Sequence, residues 1–396
     1  TATTEIYTLE FVGSVRCVLE TDLIYATALS KNADIYLKSE NLQKTGSFKV
    51  RGAYAKIAQL SAEQKKRGII ACSAGNHAQG VALSAQKSGI ESTIFIPSTA
   101  PISKIEATKS YGAHIRLVDG VYDDAYNEAV KFQKETGAEF IHPFDDIEVI
   151  AGQGTIALEI LEQLPEVEAI IVPIGGGGLI SGIAYTIKML KPDCKVYGVQ
   201  AAGAGSMYHS MELHKRTELP SVHTFADGTA VKMPGENTFA LCEKYVDEIV
   251  TVTDDEIATA VLTLMERQKL VAEGAGALSV AAAMFKKLPI DGKKTVCIVS
   301  GGNIDVNILS RVINRGLLKA GRIADLTIEM LDKPGQLKEV SRIIADHGAN
   351  VIRVLHNQGG EDTDINDCYL KVTMETRNLR HLCDCLLYTS DAADEL

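Results

Sequence analysis

Lys49 lies in the run ENLQKTGSFKVRGA, residues 40–53, where a strand-like segment (ADIYLKSENL) gives way to a helix-like one (FKVRGAYAKIAQL). Ser47 is placed to cap that helix, which puts Lys49 in its first turn. A helix N-terminus already carries partial positive charge. A lysine there, with Lys44 and Arg51 close by, is either a surface side chain that snorkels or an amine whose pKa is pushed down until its neutral form reacts. Three other stretches could join it. In AIIVPIGGGGLISG an apolar strand runs into Gly175, Gly176, Gly177 and Gly178 and then a helix, a geometry that brings backbone N–H groups and the helix dipole to an anion. A single phosphate fits best. A dinucleotide fingerprint would need glycine where Ile180 stands and an acidic residue where VYGVQ presents Gln200, and a P-loop would need Gly-Lys-Ser/Thr. A glycine turn that serves only close packing is the bland alternative. In ACSAGNHAQGVA, the turn Ser73, Ala74, Gly75, Asn76 and His77 offers side-chain donors and free amides at a helix start, which suits a carboxylate. Ser73 lacks the flanking glycines of a nucleophile elbow, and His77 alone reads as an ordinary buried or capping histidine. Finally, TVCIVSGGN sets Ser300 just past a buried strand, where by itself it reads as a plain turn.

The elements that must position these residues are legible in outline. GIIACS, STIFIP, AHIRLVD, EFIHP, AIIVPI, CKVYGVQ and TVCIVS read as buried strands, with helical spacing between most of them. That alternation predicts open parallel α/β sheets covered by helices. A second pattern starts near Ala324: DLTIEML, PGQLKEVSRIIADHGA, NVIRVLHNQ, CYLKVTMET and RNLRHLCDCL read strand, helix, strand, strand, helix. This is most of a ferredoxin-like unit, lacking its closing strand. Residues 385–396, CLLYTSDAADEL, are set aside as an artefactual tail. The 396 residues, 46% hydrophobic and 23% charged, support two or three packed domains. A net charge of −11 leaves no basic face for nucleic acid, and no apolar run is long enough to span a membrane. Eight cysteines without a CxxC pair indicate neither a zinc site nor a disulfide framework, so a cytoplasmic protein is expected.

A reactive lysine, a monophosphate cup, a carboxylate cup and a polar residue at another strand end are the parts that a pyridoxal phosphate enzyme requires. Through SENLQKTGSFKVRGA, SAGNHAQGVA, GGGGLISG, FADGTAV, EGAGAL and SGGN, in that order, the chain resembles fold-type II pyridoxal phosphate enzymes, specifically threonine dehydratases (threonine ammonia-lyases) with a C-terminal ACT domain. The resemblance spans roughly residues 9–383. It implies a large cofactor-binding domain from residues 1–53 and 148–320, a small α/β domain from 54–147 and an incomplete ACT-like regulatory domain from 324–384.

Residue by residue, the resemblance makes Lys49 the Schiff-base lysine, with Phe48 beside the cofactor ring. Gly175, Gly176, Gly177, Gly178 and Leu179 would hold the phosphate, Asn76 the ring hydroxyl and Ser300 the pyridine nitrogen. Ser73, Ala74, Gly75, Asn76 and His77 would receive the substrate carboxylate; Glu273 lies in a matching motif without an assigned role. Serine racemases of this family carry a serine where this chain has Ala74, so elimination is favoured over racemisation. Residues 200–206, QAAGAGS, lack the acidic residues that bind a divalent cation in some relatives, and no metal is expected there. The implied reaction is loss of water from L-threonine, and more weakly L-serine, to 2-oxobutanoate or pyruvate and ammonia. A homo-oligomer, dimer or tetramer, is expected. An amino-acid effector would bind the ACT unit near LDKPGQL, residues 331–337, with a weak response if the sheet is incomplete. Rival readings are a serine racemase or serine dehydratase of the same fold, a nicotinamide-dependent dehydrogenase, and a non-catalytic amino-acid sensor.

Overall fold

A computed structural model describes residues 19–358 and 366–394, with side chains to residue 386, so residues 1–18 of the expected large domain lie outside the described part. The chain divides into two compact units, one ending at Asp305 and one starting at Val306. Among the described residues no helix is long and apolar enough to cross a membrane.

The strands are β1 (Leu23–Tyr25), β2 (Asp34–Lys38), β3 (Ile69–Cys72), β4 (Ser92–Pro97), β5 (His114–Val118), β6 (Glu139–Phe140), β7 (Ala169–Pro173), β8 (Lys195–Ala201), β9 (Glu248–Val252), β10 (Lys294–Ile298), β11 (Ile323–Leu331), β12 (Asn350–Gln358) and β13 (Asp367–Glu375). The first unit holds two sheets. One runs β1-β2-β10-β7-β8-β9, parallel except for the β1–β2 hairpin; the other runs β5-β4-β3-β6 and is wholly parallel. All five residues of β7 are buried, as a strand covered by helices on both faces requires. All seven runs read as strands are strands, but β5 is not buried. It lies at a sheet edge with His114, Leu117 and Arg116 partly or largely exposed, and the Arg116 guanidinium sits 4.3 Å from the Phe132 ring centroid. The short strands β1 and β9 escaped the sequence reading.

The helix that carries Lys49 runs Lys49–Ala58. Ser47 does not cap it. Phe48 is the residue before the helix, already in helical conformation, while Ser47 pairs its backbone with Gly301 and its buried hydroxyl has no hydrogen-bond partner. What anchors the helix is Arg51. Its guanidinium, fully buried, pairs with Glu40 at 2.8 Å and with Glu159, which also takes Lys38 Nζ at 2.6 Å. Thr21 Oγ1 donates to Glu40 at 2.6 Å, and Arg51 Nη1 donates to Thr155 at 3.2 Å. Burial alone would raise the Glu40 carboxyl, but the Arg51 guanidinium carries it below the ordinary range. Burial pushes the Lys38 amine down despite the opposing Glu159 carboxylate. Two cations and two anions thus close a neutral cluster between β2, the Lys49–Ala58 helix and the Ile147–Gln163 helix. The same two helices approach so closely that a Cβ on Gly152 would stand 2.7 Å from Gly52 Cα.

The second unit contains helices Val306–Lys319, Gln336–Asp346 and Leu379–Asp394 and an antiparallel sheet ordered β11-β13-β12. The order strand, helix, strand, strand, helix follows the sequence reading, and the separate sheet is compatible with an ACT-like domain. Two boundaries differ. Helix Val306–Lys319, assigned by sequence to the large domain, falls in the second unit, where it packs on β11. The segment set aside as a tail begins inside the last helix, and Cys385 is buried with Val340, Ile344 and Met374 in that unit's core.

Removing one partner from a buried ion cluster leaves the others uncompensated. Arg51→Ala is expected to lower stability by about 3–5 kcal/mol, read from urea unfolding by circular dichroism. A loss below about 1 kcal/mol would place the cluster with surface ion pairs.

Candidate active site

Lys49 is the first residue of its helix. Its amine donates to Pro143 O at 2.6 Å and lies 5.3 Å from the Phe48 ring centroid. Burial pushes it down to about 8, against the pull of the Glu273 carboxylate. About a tenth of the amine is therefore neutral at pH 7, far more than for an ordinary lysine, as a nucleophile needs. The neighbouring helix Asn76–Ser88 packs against this backbone, since a Cβ on Gly80 would stand 3.0 Å from Lys49 C.

The next residue after Pro143 reaches the glycine loop. A Cβ on Gly176 would fall 2.4 Å from the Phe144 ring, and one on Gly178 would fall 2.8 Å from Phe144 O. Gly177, at φ +100°, makes the turn into helix Gly178–Leu190. Thr238 Oγ1 donates to Gly176 O at 2.6 Å, and Asp145 accepts from the Glu236 and Asn237 amides at the start of helix Glu236–Tyr245, which carries Thr238. So three consecutive residues hold the amine, shape the loop and brace it from behind. Each glycine has a packing reason, as the bland reading allowed. The helix that follows nevertheless starts buried at Gly178, Leu179 and Ile180 with no side chain capping its free amides, a state that calls for an anion.

The third cup is the turn of residues 73–77. Ser73 Oγ accepts from Gly75 N at 3.2 Å, and Asn76 and His77 open the helix. The His77 ring is not turned to a ligand. It is buried, its Nε2–H donates to Ile141 O at 2.8 Å, and burial with the nearby Lys49 amine pushes it down to about 3. Only its backbone amide is left for a carboxylate. Asn76 is held at both ends, with Nδ2 donating to Glu273 Oε1 at 2.6 Å and Oδ1 accepting from Asn303 Nδ2 at 2.8 Å. The Glu273 carboxyl is buried and pushed up to about 7 by burial and by the Asp227 carboxylate. Ser300 is buried after β10, its Oγ 3.4 Å from Ala275 O, and its own carbonyl accepts from Phe48 N at 3.1 Å, which ties it to the lysine. Gln200 accepts from Tyr208 N at 2.8 Å, a structural bond.

The sequence reading gave no role to Pro143, Phe144, Asp145 or Asn303, although Asn303 lies in the SGGN motif. The run HPFDD did carry a signal, since proline ends a strand and aspartates cap the helices that follow.

Residues 16–301 match the family model described as pyridoxal-phosphate dependent enzyme. This chain belongs to that family. An L-threonine ammonia-lyase of Thermotoga maritima is 51% identical over 92% of the chain and 91% of its own length. Among solved structures, the processed form of threonine deaminase isoform 2 from Solanum lycopersicum aligns with a TM-score of 0.76 at 38% identity, covering 80% of this chain and 90% of that one. Maize serine racemase aligns with a TM-score of 0.73 at 36% identity, covering 78% and 98%. The two parallel sheets are the fold-type II architecture of these pyridoxal phosphate enzymes. The site fits the cofactor: a buried neutral-prone amine, an uncapped buried helix start, an oriented amide and a hydroxyl with spare capacity.

Because the neutral amine is what condenses with an aldehyde, loading of cofactor-free protein with pyridoxal phosphate should accelerate through about pH 8 and level off, rather than climb toward the ordinary lysine value near 10.5. Glu273→Gln removes the carboxylate that favours the ammonium, so the midpoint should move lower. The rate at which the yellow band grows measures both, and a rate still climbing tenfold per pH unit above about pH 9 would contradict the lowered amine.

Proposed function

We propose that this pyridoxal phosphate enzyme is a threonine ammonia-lyase, which eliminates water from L-threonine, and less well from L-serine, and releases 2-oxobutanoate or pyruvate with ammonia. The observation that carries this reading is the convergence of the buried Lys49 amine with the Asn76–Glu273 pair and the uncapped Gly178 helix start. The relatives named above support the substrate.

Pyridoxal phosphate, when bound, supplies the electron sink that makes loss of a Cα proton and a β-hydroxyl feasible. The chain's residues do the rest. Gly175, Gly176, Gly177, Gly178 and Leu179 would hold the phosphate by backbone amides, and Phe48 would lie beside the ring. Asn76 would bond the ring hydroxyl, its amide held in one orientation by Glu273 and Asn303. Ser300 would meet the ring nitrogen with a neutral hydroxyl, which would not hold a proton on it. The amides of residues 73–77 and the Ser73 hydroxyl take the substrate carboxylate. The Lys49 amine would remove the Cα proton and return it to the departing hydroxyl. The water lost is regained when the released enamine is hydrolysed. Serine differs by one methyl, worth about 1–3 kcal/mol, so it is turned over more slowly. The second unit takes an amino-acid effector at the turn between β11 and helix Gln336–Asp346.

The alternative is racemisation, favoured by the likeness to maize serine racemase. Ala74 opposes it. Its methyl packs against the core of the four-stranded sheet and cannot carry a proton to the second face of the substrate.

Lys49→Ala is expected to abolish the yellow band and to cut 2-oxobutanoate formation by at least about 10²–10⁴-fold. A variant that retains substantial threonine turnover would remove Lys49 from its role. Wild-type protein should form far less D-serine than pyruvate from L-serine, and Ala74→Ser should raise the D-serine share. Equal racemase and lyase rates in the wild type would favour the alternative.

A further inference from the structure

Asp332, His356 and Cys368 come from three separate segments of the second unit, and one ligand atom from each lies within 4.8 Å of the other two. Strand pairing makes the meeting inevitable. Cys368 on the central β13 lies opposite Gln358 of β12 and Met330 of β11, and Leu370, two residues on, lies opposite His356. Residues two apart on one strand share a face, so His356 and Cys368 point to the same side. Asp332 leaves the end of β11 beside them. Burial is graded: Cys368 is 1% exposed, whereas Asp332 and His356 stand at the open rim. All three line a cavity of about 460 Å³ whose other walls include Leu331, Pro334 and Leu337.

We propose that Asp332, His356 and Cys368 form a binding site for a divalent transition-metal ion of the zinc class. Nε2 of His356 is 3.6 Å from Oδ1 of Asp332, close to the roughly 3.4 Å edge of a tetrahedron whose metal–ligand bonds are about 2.0–2.2 Å. Gln358 Nε2 donates to the other Asp332 oxygen, an outer contact that turns Oδ1 toward the imidazole. Thiolate with imidazole and one carboxylate selects zinc over magnesium or calcium, which prefer oxygen ligands throughout. Three protein ligands leave a fourth position facing the cavity for water or a small chelating group. Burial and the Asp332 and Asp367 carboxylates hold the Cys368 thiol protonated. A bound dication reverses that balance, so binding forms the metal–sulfur bond and releases the thiol proton to solvent.

None of these residues belongs to the active site, so the inference stands apart from the proposed reaction, although Asp332 lies in the turn proposed for the effector. The test uses the full-length holoenzyme, stripped with a chelator and titrated with Zn²⁺ by calorimetry in two buffers of different ionisation heat. After dialysis, retained metal is counted by elemental analysis. The expected result is about one zinc per chain, retained in millimolar magnesium, with proton release visible as a buffer-dependent heat. Cys368→Ser should abolish the proton release, and both it and His356→Ala should weaken binding at least about tenfold. Because His356 is at the rim, its variant tests the site even if the buried Cys368→Ser change perturbs folding; threonine turnover and circular dichroism serve as folding controls. Failure to retain zinc, or equal retention by wild type and both variants, would overturn the proposal and leave His356 and Asp332 as a surface ion pair.

Discussion

The site depends on a charge cluster that takes no part in chemistry. Arg51 is two residues from Lys49 and fully buried, bound to Glu40 and Glu159, while Lys38 completes the neutral set. Buried charges are tolerable only when each is paired, so this cluster admits one arrangement of β2, the reactive helix and the helix Ile147–Gln163. The reactive lysine inherits its position from that arrangement. A helix anchored through its third residue cannot slide without tearing Arg51 from its carboxylates. Lys49 is then held half-buried, and the desolvation it meets there lowers its pKa.

A second constraint carries that position to the anion cup. Pro143, Phe144 and Asp145 follow β6 and lead into the Ile147–Gln163 helix that bears Glu159. The segment is therefore bound to the charge cluster at one end and to the small parallel sheet at the other. Its proline carbonyl meets the lysine, its phenylalanine lies against the glycines, and its aspartate caps the helix behind them. Glycines are required along the loop because Phe144 and Thr238 occupy the space where their Cβ atoms would lie. The same close packing that removes side chains from the loop leaves the next helix start buried and uncapped.

Glu273 and Asn303 give Asn76 a fixed orientation from the opposite side. An amide can present oxygen or nitrogen to a ligand, and two flanking partners decide which. Because Glu273 is pushed up to about 7, that orienting group changes charge near neutrality. A titrating acid is thus coupled directly to the Asn76 amide.

How much was legible without coordinates follows from the range of each interaction. Strand runs such as AIIVPI and the glycine loop after it are local patterns, set by residue type and period over a few positions, and these were read correctly along with the family. Lys49, Asn76 and Ser300 sit in ordered motifs, and the fold brings their segments together. Ser47 failed as a cap because a long-range pairing with Gly301 claimed its backbone. The edge position of β5 was hidden because strand order in a sheet is not written in the strand itself. Arg51 read as a nearby cation, since nothing within ten residues shows that Glu159 will close over it. Eight scattered cysteines showed no ligand spacing, yet β-sheet register sets Cys368 beside His356 and Asp332. The sequence by itself determined which segments form elements and which motifs carry chemistry, because those are short-range properties. Only the tertiary structure decided which charges are buried and which side chains meet, because both depend on contacts between segments far apart in the chain.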